Sequence, residues 1–196
     1  MTIPIPLPLR DIVPPPEIFR FHSRLHGQRH VARVMVHAFH LLEATGAQDE
    51  AARLWASVYI HDIARVDDGI SRRHGADAWR RLESEPELMA TLVRGGVRQA
   101  DLEAIRTAVT KHSDGEVIAP KPHWRLTALL KDADGLDRVR LHDLDIRMLR
   151  HPEARGMVQF AKRLLNETDR LFPESPDYFE RLWPEAQRII RAYPSA

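Results

Sequence analysis

The sequence predicts an all-α fold, a compact bundle of irregular helices, on three observations. Apolar residues recur at intervals of three and four along most of the chain, which is the period of an α-helix. No segment alternates apolar and polar residues as a half-buried strand does. Glycine and Asp-Gly signals, with clustered prolines, cut the periodic stretches into helix-sized pieces.

Each element follows in chain order. Met1 to Pro16 is proline-rich and is expected to be an extended arm, with residues 17–196 forming one helical domain. Val31, Val34, Met35, Ala38, Leu41 and Leu42 predict a helix from about Gln28 to Ala44, and Gly46 is placed to end it. Asp49 to Ile60 is apolar nearly all round, as a central buried helix would be. Asp67-Asp68-Gly69 marks a turn, and a helix from about Arg73 to Glu83 follows. Leu102, Ile105, Val109 and His112 form one stripe of the next helix. Ser113-Asp114-Gly115 stops it, and Pro120 and Pro122 mark a loop. Leu126, Leu129, Leu130, Ala133 and Leu136 give another helix, and Met157, Phe160, Ala161, Leu164, Leu165 and Thr168 a longer one. The last, about Asp177 to Tyr193, contains Pro184 as a kink point.

Composition narrows the function classes. A chain of 196 residues can bury a real core in one domain. Net charge is +1, so no global field draws in nucleic acid or a membrane surface, and no basic stripe with interleaved aromatics supports a nucleic-acid role. Arginines far outnumber lysines, 25 to 4, which reads as base composition rather than a phosphate-binding surface. With no cysteine there is no disulfide framework, and any metal must be held by nitrogen and oxygen. No apolar run reaches the length of a membrane span, and the start lacks the pattern of a signal peptide. A cytoplasmic location is the expectation.

The candidate site begins at His61-Asp62, which closes the apolar stretch Ala51 to Ile60. An imidazole and a carboxylate at the end of a buried segment are costly unless something satisfies them. A divalent metal would satisfy both. His30 lies in the first turn of the first long helix, His112 continues an apolar stripe, and Asp134 follows Leu126 and Leu130 at intervals of four. Each alone is explained by a hydrogen-bonded core residue. Inward imidazoles and carboxylates on four separate helices are how metal sites are built in helical bundles. Periodicity alone does not choose among Asp132, Asp134 and Asp137.

The order His30, His61-Asp62, Asp134 resembles the HD-domain superfamily of metal-dependent phosphohydrolases. His26-Gly27-Gln28-Arg29-His30-Val31-Ala32-Arg33-Val34 is similar to its first motif. Tyr59-Ile60-His61-Asp62-Ile63-Ala64-Arg65 is similar to its namesake motif, and Lys131-Asp132-Ala133-Asp134-Gly135-Leu136-Asp137-Arg138 to its last. The resemblance spans about residues 25–140 and leaves 141–196 as packing helices. It implies a metal held by His30, His61, Asp62 and Asp134, the aspartate after alanine being the ligand of the last motif. It further implies His74, in Arg73-His74-Gly75-Ala76-Asp77-Ala78, and His112, in Thr110-Lys111-His112-Ser113, as ligands of a second ion that Asp62 would bridge. The cofactor is then one or two divalent ions, Mn, Fe, Co, Ni, Zn or Mg.

The reaction so implied is hydrolysis of a phosphomonoester or phosphodiester of a small molecule or nucleotide by metal-activated water. Arg65, Lys131 and Arg138 stand at helical spacing from ligands and are the candidate phosphate-binding cations. Asp68 is a candidate acid or base. The alternatives are a di-iron HD-type oxygenase, which six ligand positions permit, and a non-catalytic ligand-binding HD domain, which intact candidate ligands argue against. His26, just before Gly27, is expected to support or cap rather than ligate. His37 and His40 are expected on a solvated polar face, while His123, His142 and His151 carry no motif.

Overall fold

Helix α1 (Gln28–Thr45) is the centre about which the other helices pack. The structure, a computed structural model, describes residues 2–114 and 122–192. Within them α1 is followed by α2 (Ala51–Ile60), α3 (His74–Ser84), α4 (Pro86–Arg94), α5 (Leu102–Lys111) and α6 (Trp124–Leu136). Then come α7 (Pro152–Gly156), α8 (Val158–Thr168) and α9 (Tyr178–Ala192), with short 3₁₀ turns between. No strand occurs among the described residues, so the architecture is an all-α multi-helix bundle. Among the described residues no helix is long and apolar enough to cross a membrane. The stop signals Gly115 and Pro120 lie outside the described residues.

Helix α1 ends as its sequence dictates. Gly46 takes the left-handed conformation at φ 64°, and the amide of Ala47 donates to the Leu42 carbonyl at 2.9 Å. Helix α2 packs on α1, α5 and α6, and its Trp55 is fully buried. Helix α3 lies on α5, where a Cβ at Gly75 would overlap the Val109 carbonyl oxygen. Only glycine permits that approach, and the approach is what carries His74 to His112.

Three expectations are corrected. The proline-rich segment is not an extended arm. Ile12 and Val13 are fully buried in the common core, and Trp55 Nε1 donates to the Ile12 carbonyl at 2.9 Å. Its prolines keep the segment out of an α-helix, leaving a 3₁₀ turn at Leu9–Asp11, but do not keep it from packing on the core. Second, His37 and His40 are not solvated, being 0% and 8% exposed. Both rings meet the edge of Phe160 on α8, with centroids 5.8 and 4.9 Å away. A helix's polar face reads as surface only until another helix covers it, and α7, α8 and α9 all pack on α1. Third, α4 was not expected from periodicity. Its signals are Pro86 at the first turn and Leu88 and Leu92 buried one turn apart.

Candidate metal centre

All six proposed ligands sit at helix ends on one end of the bundle. His30 is in the first turn of α1, His61 and Asp62 follow the last residue of α2, and His74 opens α3. His112 follows α5, and Asp134 is in the last turn of α6. Helix C-termini leave carbonyls without intrahelical donors, and the imidazoles of His61 and His112 use them. His61 Nδ1 donates to the Val58 carbonyl at 2.8 Å and His112 Nδ1 to the Val109 carbonyl at 2.6 Å. His74 Nδ1 donates to the Ser71 carbonyl at 2.7 Å. His30 Nδ1 faces Asp137 Oδ2 at 2.8 Å.

These partners decide the tautomers. A carbonyl oxygen cannot donate, so at His61, His74 and His112 Nδ1 carries the proton and the neutral ring presents a lone pair at Nε2; the Asp137 carboxylate likewise takes the Nδ1 proton of His30. The Nε2 atoms then converge. His74 and His112 bring theirs within 2.7 Å of one another, and His30 and His61 within 3.3 Å. Asp62 Oδ2 lies 3.5 Å from His30 Nε2 and 3.7 Å from His61 Nε2, while its Oδ1 lies 3.3 Å from His74 Nε2. Asp134 Oδ1 is 3.3 Å from His30 Nε2. Two groups result, His30 with His61 and Asp134, and Asp62 with His74 and His112. In each the ligand atoms lie within 4.8 Å of one another.

The electrostatics fit a cation. Burial pushes the His112 pKa down to about 3, and His61 and His74 add to the effect. Burial also lowers that of His74. Two neutral imidazoles with facing lone pairs repel at such short range, and a cation between them turns that repulsion into ligation. Burial favours the neutral acid at Asp62, but His61, His30, Arg65 and His74 outweigh it and hold the carboxyl well below the usual range. Asp134 behaves likewise, with His30 as its main partner against burial. At His30 burial opposes charge, yet Asp134 and Asp137 prevail and its pKa rises. The donor set of imidazole nitrogens and carboxylate oxygens could hold a metal ion.

The remaining candidates border one cavity of about 690 Å³ together with Asp62, His74, His112 and Asp134. Arg65 Nε donates to Asp62 Oδ1 at 2.9 Å and its Nη1 to the Gly69 carbonyl at 3.1 Å. Arg138 is exposed and paired with Asp143. Asp68 accepts from the Ser23 hydroxyl and from His26 Nδ1, the latter at 2.9 Å. Lys131 donates to the carbonyls of His112 at 3.0 Å and Asp114 at 2.6 Å, so its ammonium caps the end of α5 behind a ligand.

Comparison of the chain with family models, with curated proteins and with solved structures finds no match.

Periodicity left three aspartates open, and the structure gives them three tasks. Asp134 joins the ligand cluster. Asp132, fully buried, accepts from the backbone amides of Arg150 and His151 at 2.9 and 2.8 Å and from His151 Nδ1 at 2.7 Å. It pins the segment that walls the cavity. Asp137, also fully buried, holds His30 and accepts from Arg33 Nε at 2.6 Å. Sequence reasoning missed Asp137 and Arg33 as supports of the site. The available signal was spacing, since Arg33 follows His30 by three and Asp137 follows Asp134 by three. His26, half-buried, meets His30 edge-on with centroids 5.9 Å apart and supports Asp68. His123 and His142 cap helices in the left-handed conformation at φ 60° and 58°.

Proposed function

We propose that this protein is a metal-dependent phosphohydrolase that cleaves a phosphomonoester or phosphodiester of a small molecule or nucleotide. One observation carries the reading. Four imidazoles, each with Nδ1 committed to an acceptor, turn Nε2 toward two ionised carboxylates beside an open cavity of about 690 Å³. Divalent ions held there would supply a Lewis acid and a bound water of lowered pKa.

His30, His61 and Asp134 would hold one ion and His74 and His112 a second, with Asp62 offering an oxygen to each group. Arg65 fixes Asp62 and offsets part of its charge. Arg138, solvent-exposed at the rim, is placed to exchange Asp143 for a substrate phosphate. Slight burial favours the neutral form of Asp68, but the hydrogen bonds from Ser23 and His26 outweigh it and keep it ionised. Asp68 is therefore suited to accept a proton rather than donate one.

The test is a panel of phosphomonoesters, phosphodiesters and nucleotides assayed with Mn, Co, Ni, Zn and Mg, alongside the metal content of protein purified without chelator. Hydrolysis that needs a divalent ion is the expected result. Bound iron with oxygen-dependent turnover would instead establish an oxygenase. A chain that takes up no metal and hydrolyses nothing would overturn the hydrolase reading and favour a non-catalytic binding domain.

A further inference from the structure

A second cleft, of about 630 Å³, lies between the segment before α1, the turn after α6 and the end of α8. Four arginines border it, Arg24, Arg33, Arg140 and Arg170, against two acids, Glu167 and Asp169. Both acids are ion-paired, Glu167 with Arg188 and Asp169 with Arg33, each at 2.9 Å; Arg188 is shared with Glu185, and Arg33 with Asp137, which Arg140 also meets. Arg24 and Arg170 are exposed and have no ion-pair partner among the described residues. The cleft thus carries surplus guanidinium charge. The fork geometry of guanidinium matches phosphate oxygens.

A continuous line of charge runs from this cleft to the metal centre. Asp169, on the cleft, binds Arg33 Nη1 at 2.9 Å, and Arg33 Nε donates to Asp137 Oδ1 at 2.6 Å. Asp137 Oδ2 in turn accepts from His30 Nδ1 at 2.8 Å. Arg33 and Asp137 are buried, so their attraction is screened little by water. Arg140 borders both cavities and lies 3.4 Å from Asp137 Oδ2.

We infer that this cleft is a second anion site, taking a phosphate-type dianion, and that its occupant is coupled to the metal centre through Arg33 and Asp137. An anion drawn in by Arg24 and Arg170 competes with Asp169 for Arg33. Any change in the hold of Arg33 on Asp137 changes the hold of Asp137 on His30. The acceptor on Nδ1 of a ligating histidine sets the basicity of its other nitrogen. Metal and anion therefore alter each other's affinity by one and the same factor. The coupling rests on the proposed metal centre, whereas the anion site does not.

The anion is free phosphate or a phosphoryl group on an organic carrier, for which Leu25, Leu165 and Leu171 would provide an apolar wall. Calorimetric titration of the full chain with inorganic phosphate, and separately with phenylphosphonate, tests the site in wild type and in the double variant Arg24→Glu/Arg170→Glu. Both positions are exposed, and unfolding midpoints check the fold. The expected result is a wild-type binding event that the double variant weakens tenfold or more. Phenylphosphonate binding more tightly than phosphate identifies an organic carrier, and equal binding identifies free phosphate. Identical isotherms for the two proteins overturn the site. For the coupling, saturating anion should shift the Mn²⁺ affinity of wild type about fivefold, within the usual range of allosteric factors, and leave that of the double variant unchanged. Equal shifts in both proteins overturn the coupling. If neither protein binds Mn²⁺, the metal reading fails while the anion isotherms still decide the cleft.

Discussion

Helix α1 carries two kinds of buried histidine, two turns apart, and they differ in every respect but burial. His30 is held by Asp137 at 2.8 Å, faces Asp134 at 3.3 Å, and its pKa is raised. His37, equally buried, has no hydrogen-bond partner for either ring nitrogen among the described residues, and burial pushes its pKa down to about 3. Its ring packs on Phe160 as an apolar side chain would. Burial of a histidine is therefore no sign of a ligand. The sign is an acceptor on Nδ1 together with other lone pairs converging on Nε2.

The largest test of that contrast is Asp62→Ala. Asp62 touches both ligand groups, so metal content measured by elemental analysis should fall to background and metal-dependent hydrolysis with it. Retained metal would mean that the ion sits elsewhere. Next is Asp137→Asn, which weakens the hold on His30 and leaves Arg33 short of charge compensation. Metal affinity should fall about 10–100-fold, and stability by up to about 3–5 kcal/mol, the usual cost of breaking a buried pair. Unchanged metal affinity would remove Asp137 from the site.

His37→Leu should act in the opposite sense. It removes buried polar atoms that lack partners, so denaturant unfolding should show a gain of about 1–3 kcal/mol with metal affinity unaltered. Any loss of metal would collapse the distinction between the two histidines. The effect that is smallest per step, and gradual, is in pH. The folded state holds His37 below the ordinary histidine pKa of 6.5. The unfolded chain thus takes up a proton that the folded chain refuses as pH falls below 6.5. Stability should decline there by at most about 1.4 kcal/mol per pH unit from this group, down to the folded value near 3. His37→Leu should remove that component. Parallel stability curves for wild type and variant between pH 6 and 4 would show that His37 titrates normally.

Much of this molecule was legible in its sequence. Helical periodicity predicted the all-α class, the bounds of α1 to within a residue, and the stop at Gly46. It also placed His30, His61-Asp62, His112 and Asp134 at inward positions on separate helices, because a repeat of three and four residues records which face of a helix is apolar. It could not record what lies opposite each face. Periodicity left Asp132, Asp134 and Asp137 open and the resemblance pointed to Asp134, which the tertiary structure sets beside His30 and His61; only the tertiary structure turned Lys131 onto the carbonyls at the end of α5 and set Arg33 behind His30. Only packing by the C-terminal helices buried His37 and His40, and only the core's need for cover drew Ile12 and Val13 onto Trp55. The first set of features comes from neighbours along the chain. The second depends on residues far apart in the chain meeting in space, as His37 and Phe160 do, and no local period carries that information.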